Sequence, residues 1–224
     1  IAFSNDGTKM FVIGSTGDDV NEYSLSTAFD ISTASYVQNF SVATQELSPN
    51  GISFNNDGTK MFVIDVLGDN VNEYSLSTAF DVSTASYVQL FSVASQETAP
   101  TGLTFNNDGT KMYVIGNTGD DVNEYNLSTA FDVSTRSYVD NLSVYSRERE
   151  PTGITFNNDG TKMFIIGQYN DKVHQYSLST AFDISTANFV QDFSVSGQQT
   201  SPQAGIFNND GTKMFTCLLY TSPS

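Results

Sequence analysis

An Asn-Asp-Gly-Thr-Lys-Met turn recurs five times along the chain. Its aspartate is Asp6, Asp57, Asp108, Asp159 and Asp210, and successive copies lie 51 residues apart. So strict a period means that each unit is one supersecondary piece. Such a piece buries its apolar surface against its own copies.

The unit from Thr101 to Pro151 shows what that piece is. Thr101-Gly-Leu-Thr-Phe105 is short and β-rich and reads as a first strand. Asp108-Gly109 between two apolar runs marks a hairpin, because Gly accepts positive φ and Asp bonds its own turn amides. Lys111 to Ile115 reads as the second strand, with Met112 and Val114 on one face and Tyr113 and Ile115 on the other. Both faces are apolar, so the strand is expected to be covered on both sides. Gly116 to Asp121 forms the next turn. Gly17, Gly68 and Gly119 become Asn170 in the fourth unit, which points to a left-handed backbone there. Val122 to Leu127 is a third strand and Tyr138 to Val144 a fourth. Between them, Phe131 and Val133 are expected to fold back onto the sheet while Asp132 and Ser134 bond local amides. No stretch carries helical apolar periodicity.

Four short antiparallel strands in about 50 residues describe a propeller blade. The run Pro-Thr-Gly-Leu-Thr-Phe-Asn-Asn-Asp-Gly-Thr-Lys-Met-Tyr-Val-Ile, residues 100–115, resembles the blade motif of YVTN-type and lactonase-like β-propellers. The likeness covers residues 1–216. It departs from that family in the longer Ser-Thr-Ala-Phe-Asp-(Ile/Val)-Ser-Thr connection. The expected fold is therefore all-β, a propeller of four-stranded antiparallel blades with units starting near 1, 50, 101, 152 and 203. That is four complete repeats and part of a fifth. The resemblance implies about seven blades in an intact protein, so the expectation is an open arc of a larger propeller whose exposed end blades self-associate. The alternative is a five-bladed ring in which the first and last segments share a blade. Residues 217–224 break the repeat and resemble the translated end of a sequencing adapter. They are expected to be non-native, on a fragment assembled from environmental (metagenomic) DNA.

The net charge is -16, and only nine residues are Lys or Arg. Five are the turn lysines Lys9, Lys60, Lys111, Lys162 and Lys213; the rest are Arg136, Arg147, Arg149 and Lys172. No basic face can be built from these, so nucleic acid is not an expected partner. No apolar run reaches the ~20 residues of a membrane helix, so no membrane insertion is expected. The single cysteine, Cys217, excludes an internal disulfide framework.

In a propeller, the turns between second and third strands and the links between blades share one face. Here that face carries Asp18, Asp69, Asp120 and Asp171 in the turns and Glu46, Glu97 and Glu148 in the links, the last link having Gln199. The sharp reading is a ring of carboxylates around a channel mouth, for cations or cationic partners; the plain one is turn residues and solvated surface. The Asn-Asn-Asp-Gly turn has too few carboxylates for a calcium loop and is followed by Lys. His174 is the only histidine and stands where other units have Asn21, Asn72 and Asn123. Alone it argues against a metal site and reads as strand-surface variation. The fourth unit is the least regular, with Tyr169, Lys172 and His174, and with Arg147 and Arg149 just before it. Such departures fit a place of specificity in a repeat protein, and neutral drift between units explains them equally well.

No nucleophile–His–acid arrangement is expected, and no cofactor, with calcium left open. The expected function is a non-enzymatic binding or structural repeat domain of a secreted, cell-surface or virion protein, with a protein or glycan ligand. The alternatives are a fragment of a lactonase-like hydrolase whose catalytic residues lie in other blades, and a calcium-dependent adhesion module.

Overall fold

The structure is a computed structural model that describes residues 1–46 and 48–218. It is an all-β propeller. The first unit contains β1 (Ala2–Phe3), β2 (Lys9–Gly14), β3 (Asp19–Leu25) and β4 (Ala34–Ser41). The second contains β5 (Pro49–Phe54), β6 (Lys60–Asp65), β7 (Asn70–Leu76) and β8 (Ala85–Ser92). The third contains β9 (Pro100–Phe105), β10 (Lys111–Gly116), β11 (Asp121–Leu127) and β12 (Arg136–Ser143). The fourth contains β13 (Pro151–Phe156), β14 (Lys162–Gly167), β15 (Lys172–Leu178) and β16 (Ala187–Ser194), and the fifth β17 (Pro202–Phe207) and β18 (Met214–Leu218). Each of the first four is a four-stranded antiparallel sheet in chain order.

The second strand is covered on both faces, as its sequence requires. Met112 and Val114 join one core cluster with Phe62 and Ile64 of the second unit. Tyr113 and Ile115 join another with Ile154 and Ile165 of the fourth. One sheet is thus shared between two cores, and no unit can bury its apolar residues alone. The outermost strands end this stacking. Each has a bulge that leaves Val37, Val88, Val139 or Val190 unpaired, which blunts the exposed edge against further strand pairing.

The long connection folds back as expected, with one local addition. A single 3-10 turn forms at Ile31–Thr33, Val82–Thr84, Val133–Thr135 and Ile184–Thr186. Asp132 Oδ1 accepts hydrogen bonds from Ser134 N (3.0 Å) and Ser134 Oγ (2.6 Å). Phe131, at φ 54°, lays its ring over Gly109, where a Cβ would collide with it. Gly109, at φ 71°, is therefore required twice, by its backbone and by its neighbour.

Neighbouring units are latched by a buried acid. Glu73 on β7 is 2% exposed. Its Oε1 lies 2.7 Å from Lys60 Nζ of the same unit. Its Oε2 accepts from Val133 N of the next unit at 3.2 Å and from Gln89 Nε2 at 2.9 Å. Lys60 also donates to Phe131 O at 2.6 Å, and Gln89 to Asp132 Oδ1 at 3.0 Å. Glu22 repeats this with Lys9, Val82 and Gln38, and Glu124 with Lys111 and Ile184. In the fourth unit Gln175 stands in the acid's place and bonds Gln191. The long connection is what carries the accepting backbone to the neighbour.

The expected open arc does not form. The fifth unit meets the first: Lys213 Nζ donates to Phe29 O at 3.0 Å, and Phe3 and Phe215 pack with ring centroids 4.8 Å apart. Asn5, Asn56, Asn107 and Asn158 each donate to the backbone carbonyl of the next unit's asparagine, and Asn209 donates back to Asn5 O. The same bond that joins unit one to unit two joins unit five to unit one, so five units complete the turn. Nor do the first and last segments share a sheet, because β1 pairs with β2 and β17 with β18. The reading of 217–224 as a foreign tail falls largely on residues outside those described; Cys217 and Leu218 continue β18 against Ala204 and Pro202.

Removing the cation from a latch leaves a buried, partly compensated carboxylate. Lys60→Met is expected to lower stability by ~2 kcal/mol, discounted for the partial exposure of the lysine. Lys162→Met, in the unit where Gln175 replaces the acid, should change it by less than ~0.5 kcal/mol. Urea unfolding midpoints of the two variants, measured side by side, check the contrast.

Candidate functional site

The turns after β2, β6, β10 and β14 and the links between sheets lie together, because the link amides of Val42, Val93, Val144 and Val195 donate to Asp18, Asp69, Asp120 and Asp171 carbonyls at 2.8 Å. These four aspartates, rather than the residue before them, take the left-handed backbone, with φ of 47°, 52°, 46° and 51°. Gly119 is small for another reason: a Cβ there would press on the Asp121 carboxylate. The fourth unit has Lys172 in place of that acid, and Asn170 is then tolerated. The Asp series is thus first of all a set of half-buried turn residues.

The link glutamates are inside the protein. Glu46, Glu97 and Glu148 are 0%, 1% and 0% exposed, so they form neither a carboxylate ring at a channel mouth nor solvated surface. Glu97 and Glu148 fold inward because loop amides would otherwise be buried without acceptors. Glu97 accepts from Ala99 N (2.7 Å), Thr118 N (3.0 Å) and Gly119 N (3.1 Å). Glu148 accepts from Glu150 N (2.9 Å), Arg149 N (3.1 Å) and Tyr169 N (3.1 Å), and its other oxygen lies 3.4 Å from His174 Nε2. Burial pushes the Glu148 pKa up, but these bonds and the adjacent histidine hold it below the ordinary value.

Glu46 is the exception. Asp65 occupies the position of Gly116 and Gly167 and takes the loop amides itself, Ser48 N at 2.9 Å and Leu67 N at 3.1 Å. Glu46 keeps Tyr74 Oη at 3.4 Å, and its Oε2 has no partner. Burial first, and the Asp65 charge second, push its pKa up to about 8. The sequence signal was the Gly-to-Asp change at 65.

His174 is buried, at 1% exposure, and is not strand-surface variation. It fills the space beside Glu148 rather than facing solvent. Above it, the residues peculiar to this junction gather. Tyr145 and Tyr169 are exposed, and the Arg149 guanidinium lies over both rings, at 4.9 Å and 5.5 Å. Arg147 stacks on Phe189 at 3.9 Å, and Lys172 pairs with Asp192 at 3.1 Å. Tyr145 was not a sequence candidate, although its column reads Ala43, Ala94, Tyr145, Ser196.

The propeller axis has a different character. A cavity of about 180 Å³ runs along the inner strands, and every side chain lining it is uncharged. Its polar groups are tied from strand to strand: Asn50 Nδ2 donates to Thr101 O (3.0 Å), Thr101 Oγ1 to Pro151 O (2.7 Å) and Thr152 Oγ1 to Pro202 O (2.7 Å). In the Asn-Asp-Gly turns the aspartate is spent on its own turn: Asp57 Oδ1 accepts from Thr59 N (3.0 Å) and Thr59 Oγ1 (2.5 Å), which holds its pKa below the usual range. Among the described residues no group of three or more His, Cys, Asp or Glu is placed to hold a metal ion.

Fold and faces together define a β-propeller with latched units and a neutral axial cavity. No family model and no curated protein matches the chain. Solved structures do. A protein of Bacteroides uniformis described as a candidate 6-phosphogluconolactonase superposes with a TM-score of 0.60 at 14% identity, over 94% of this chain and 60% of that one. The periplasmic gluconolactonase PpgL of Pseudomonas aeruginosa gives 0.57 at 16% identity, over 96% and 61%. The Cps50 (Swd1) β-propeller domain of Myceliophteria thermophila gives 0.52 at 12%, over 90% and 60%. At these identities the likeness is one of fold, and the chain spans about 60% of the length of these structures.

The Glu46 pKa gives a signed pH effect. The folded state holds the proton up to about pH 8, whereas the ordinary carboxyl value is 4.5. Its contribution to stability is full below the unfolded value, falls as pH rises towards 8, and is flat above that. Glu46→Gln is expected to remove this fall, so the variant should gain stability over the parent between pH 5 and 8, by on the order of a few kcal/mol at most. Thermal melts across that range, with Asp65 and Tyr74 unchanged, check it.

Proposed function

We propose that this propeller is a non-enzymatic ligand-binding scaffold, in keeping with a secreted, cell-surface or virion protein, and that its ligand face is the one carrying the links and the turns after the second strands. The observation that carries this reading is the chemical contrast between the two places where a ligand could sit. The axial cavity is lined by uncharged side chains whose polar groups are tied from strand to strand. The junction of the third and fourth units collects exposed aromatic rings and a guanidinium. Aromatic and Arg side chains on a tethered loop are what binding hot spots are made of. Acid–base catalysis needs a titratable group within reach of a substrate. The buried Glu97 and Glu148 are instead committed to loop amides.

Two of the structural neighbours are named for lactone hydrolysis, which makes a lactonase-like fragment the second reading. The two readings separate in an assay of glucono-δ-lactone and 6-phosphogluconolactone hydrolysis by the purified protein. No acceleration over buffer is expected for either lactone. Turnover that tracks the protein through purification and is lost on heat unfolding would overturn the scaffold reading in favour of the hydrolase.

A further inference from the structure

We propose that Tyr145, Arg149 and Tyr169, at the junction of the third and fourth units, form a carbohydrate-binding site that takes the apolar face of a hexopyranose. This rests on the scaffold reading above and names the ligand class of that face.

The first argument is exposure. Tyr145 and Tyr169 are 52% and 53% exposed, although each sits on a segment that is otherwise tied down. A large ring left half in water gives up the stabilisation of burial. At these two positions the other units carry no ring, with Ala43, Ala94 and Ser196 at the Tyr145 position, and Thr16 and Thr118 at that of Tyr169. The second unit, with exposed Leu67, is the one partial parallel.

The second argument is preorganisation. Glu148, fully buried, bonds the amides of Arg149 and Glu150 on one segment and of Tyr169 on the other. Asn170 Nδ2 closes the pair by donating to Arg147 O at 3.1 Å. One carboxylate beneath the surface thus ties together the two backbone segments that carry the rings before any ligand arrives, which lowers the ordering cost of binding.

The third argument is the mixture of groups. The Arg149 guanidinium lies over both rings and adds a planar fork of donors to the pair. Asp120 lies close enough to feel the Arg149 charge, and its backbone carbonyl anchors Val144 just before Tyr145. Rings that accept a C–H face, accompanied by a fork of donors, match a pyranose, with an apolar face and a rim of vicinal hydroxyls.

The test uses the full chain and three probes, methyl β-glucoside, N-acetylglucosamine and glucuronate, in saturation-transfer NMR. A shallow two-ring site should bind at least one with Kd of ~1–10 mM, with the strongest transfer to the ring C–H protons. Tyr145→Ala and Tyr169→Thr import residues that other units carry, so melting midpoints should hold within about 3 °C while affinity falls at least tenfold. Arg149→Thr, the residue at Thr98 and Thr200, should weaken binding as well. Silence with all three sugars, or transfer unchanged in the tyrosine variants, overturns the proposal. Such silence without lactone turnover removes only the sugar assignment, and saturable binding of a short peptide at the tyrosines would then reassign the site. Lactone turnover removes the scaffold reading beneath it.

Discussion

A carboxylate taken out of water between two sheets is the constraint on which the ring depends. Glu22, Glu73 and Glu124 are almost wholly buried, and a buried charge is tolerated only when its partners are complete. One partner, the turn lysine, comes from the acid's own unit. Another, the first amide of the 3-10 turn, comes from the next. Satisfying the charge therefore requires the neighbour to be present and in register. This couples polar satisfaction to the apolar packing that already forces the sheets together, since Met112 and Tyr113 on one strand belong to two different cores. It also explains the connection that is longer than in the resembling family. The extra residues place Phe131 over Gly109 and bring its carbonyl to Lys60.

Where the latch is absent, the sequence is free to vary. The fourth unit has Gln175 for Glu, Lys172 for an acid, Asn170 for Gly and His174 for Asn. These changes are linked rather than scattered. Asp121 bonds Asn141 in the third unit, and the same two positions become the Lys172–Asp192 pair in the fourth. Once Lys172 replaces the carboxylate, the turn no longer needs a glycine to make room for it. His174, beside Glu148, then stands under the loops that carry Tyr145 and Tyr169. A uniform ring thus acquires one corner unlike the others, and that corner is where a single ligand could be told apart from a fivefold contact.

The strands, the hairpins and the double-faced packing were legible because each depends on local periodicity. Alternation places Met112 against Tyr113, and Asp108-Gly109 specifies its own turn. The links were not legible. Glu46, Glu97 and Glu148 read as surface acids because nothing beside them in the chain marks their burial; Glu97 and Glu148 each satisfy amides some twenty residues away, on the following turn. The left-handed residue was misplaced by one position for a similar reason. Glycine at 119 answers to a carboxylate across the turn rather than to its own φ. Tyr145 and Arg149 could be seen to differ from their columns, but only the fold shows that they meet Tyr169.

By itself the sequence determined the unit: four antiparallel strands of 51-residue period with two apolar faces, because hydrophobic alternation and turn chemistry act over a few residues. The tertiary structure decided the number of units in the ring, the inward course of the link glutamates and the meeting of two tyrosines with an arginine. These depend on the angle between stacked sheets and on hydrogen bonds between units. The asparagine of the fifth unit finds the first at the same geometry as every other neighbouring pair. That closure is a property of five sheets together and is written in no one of them.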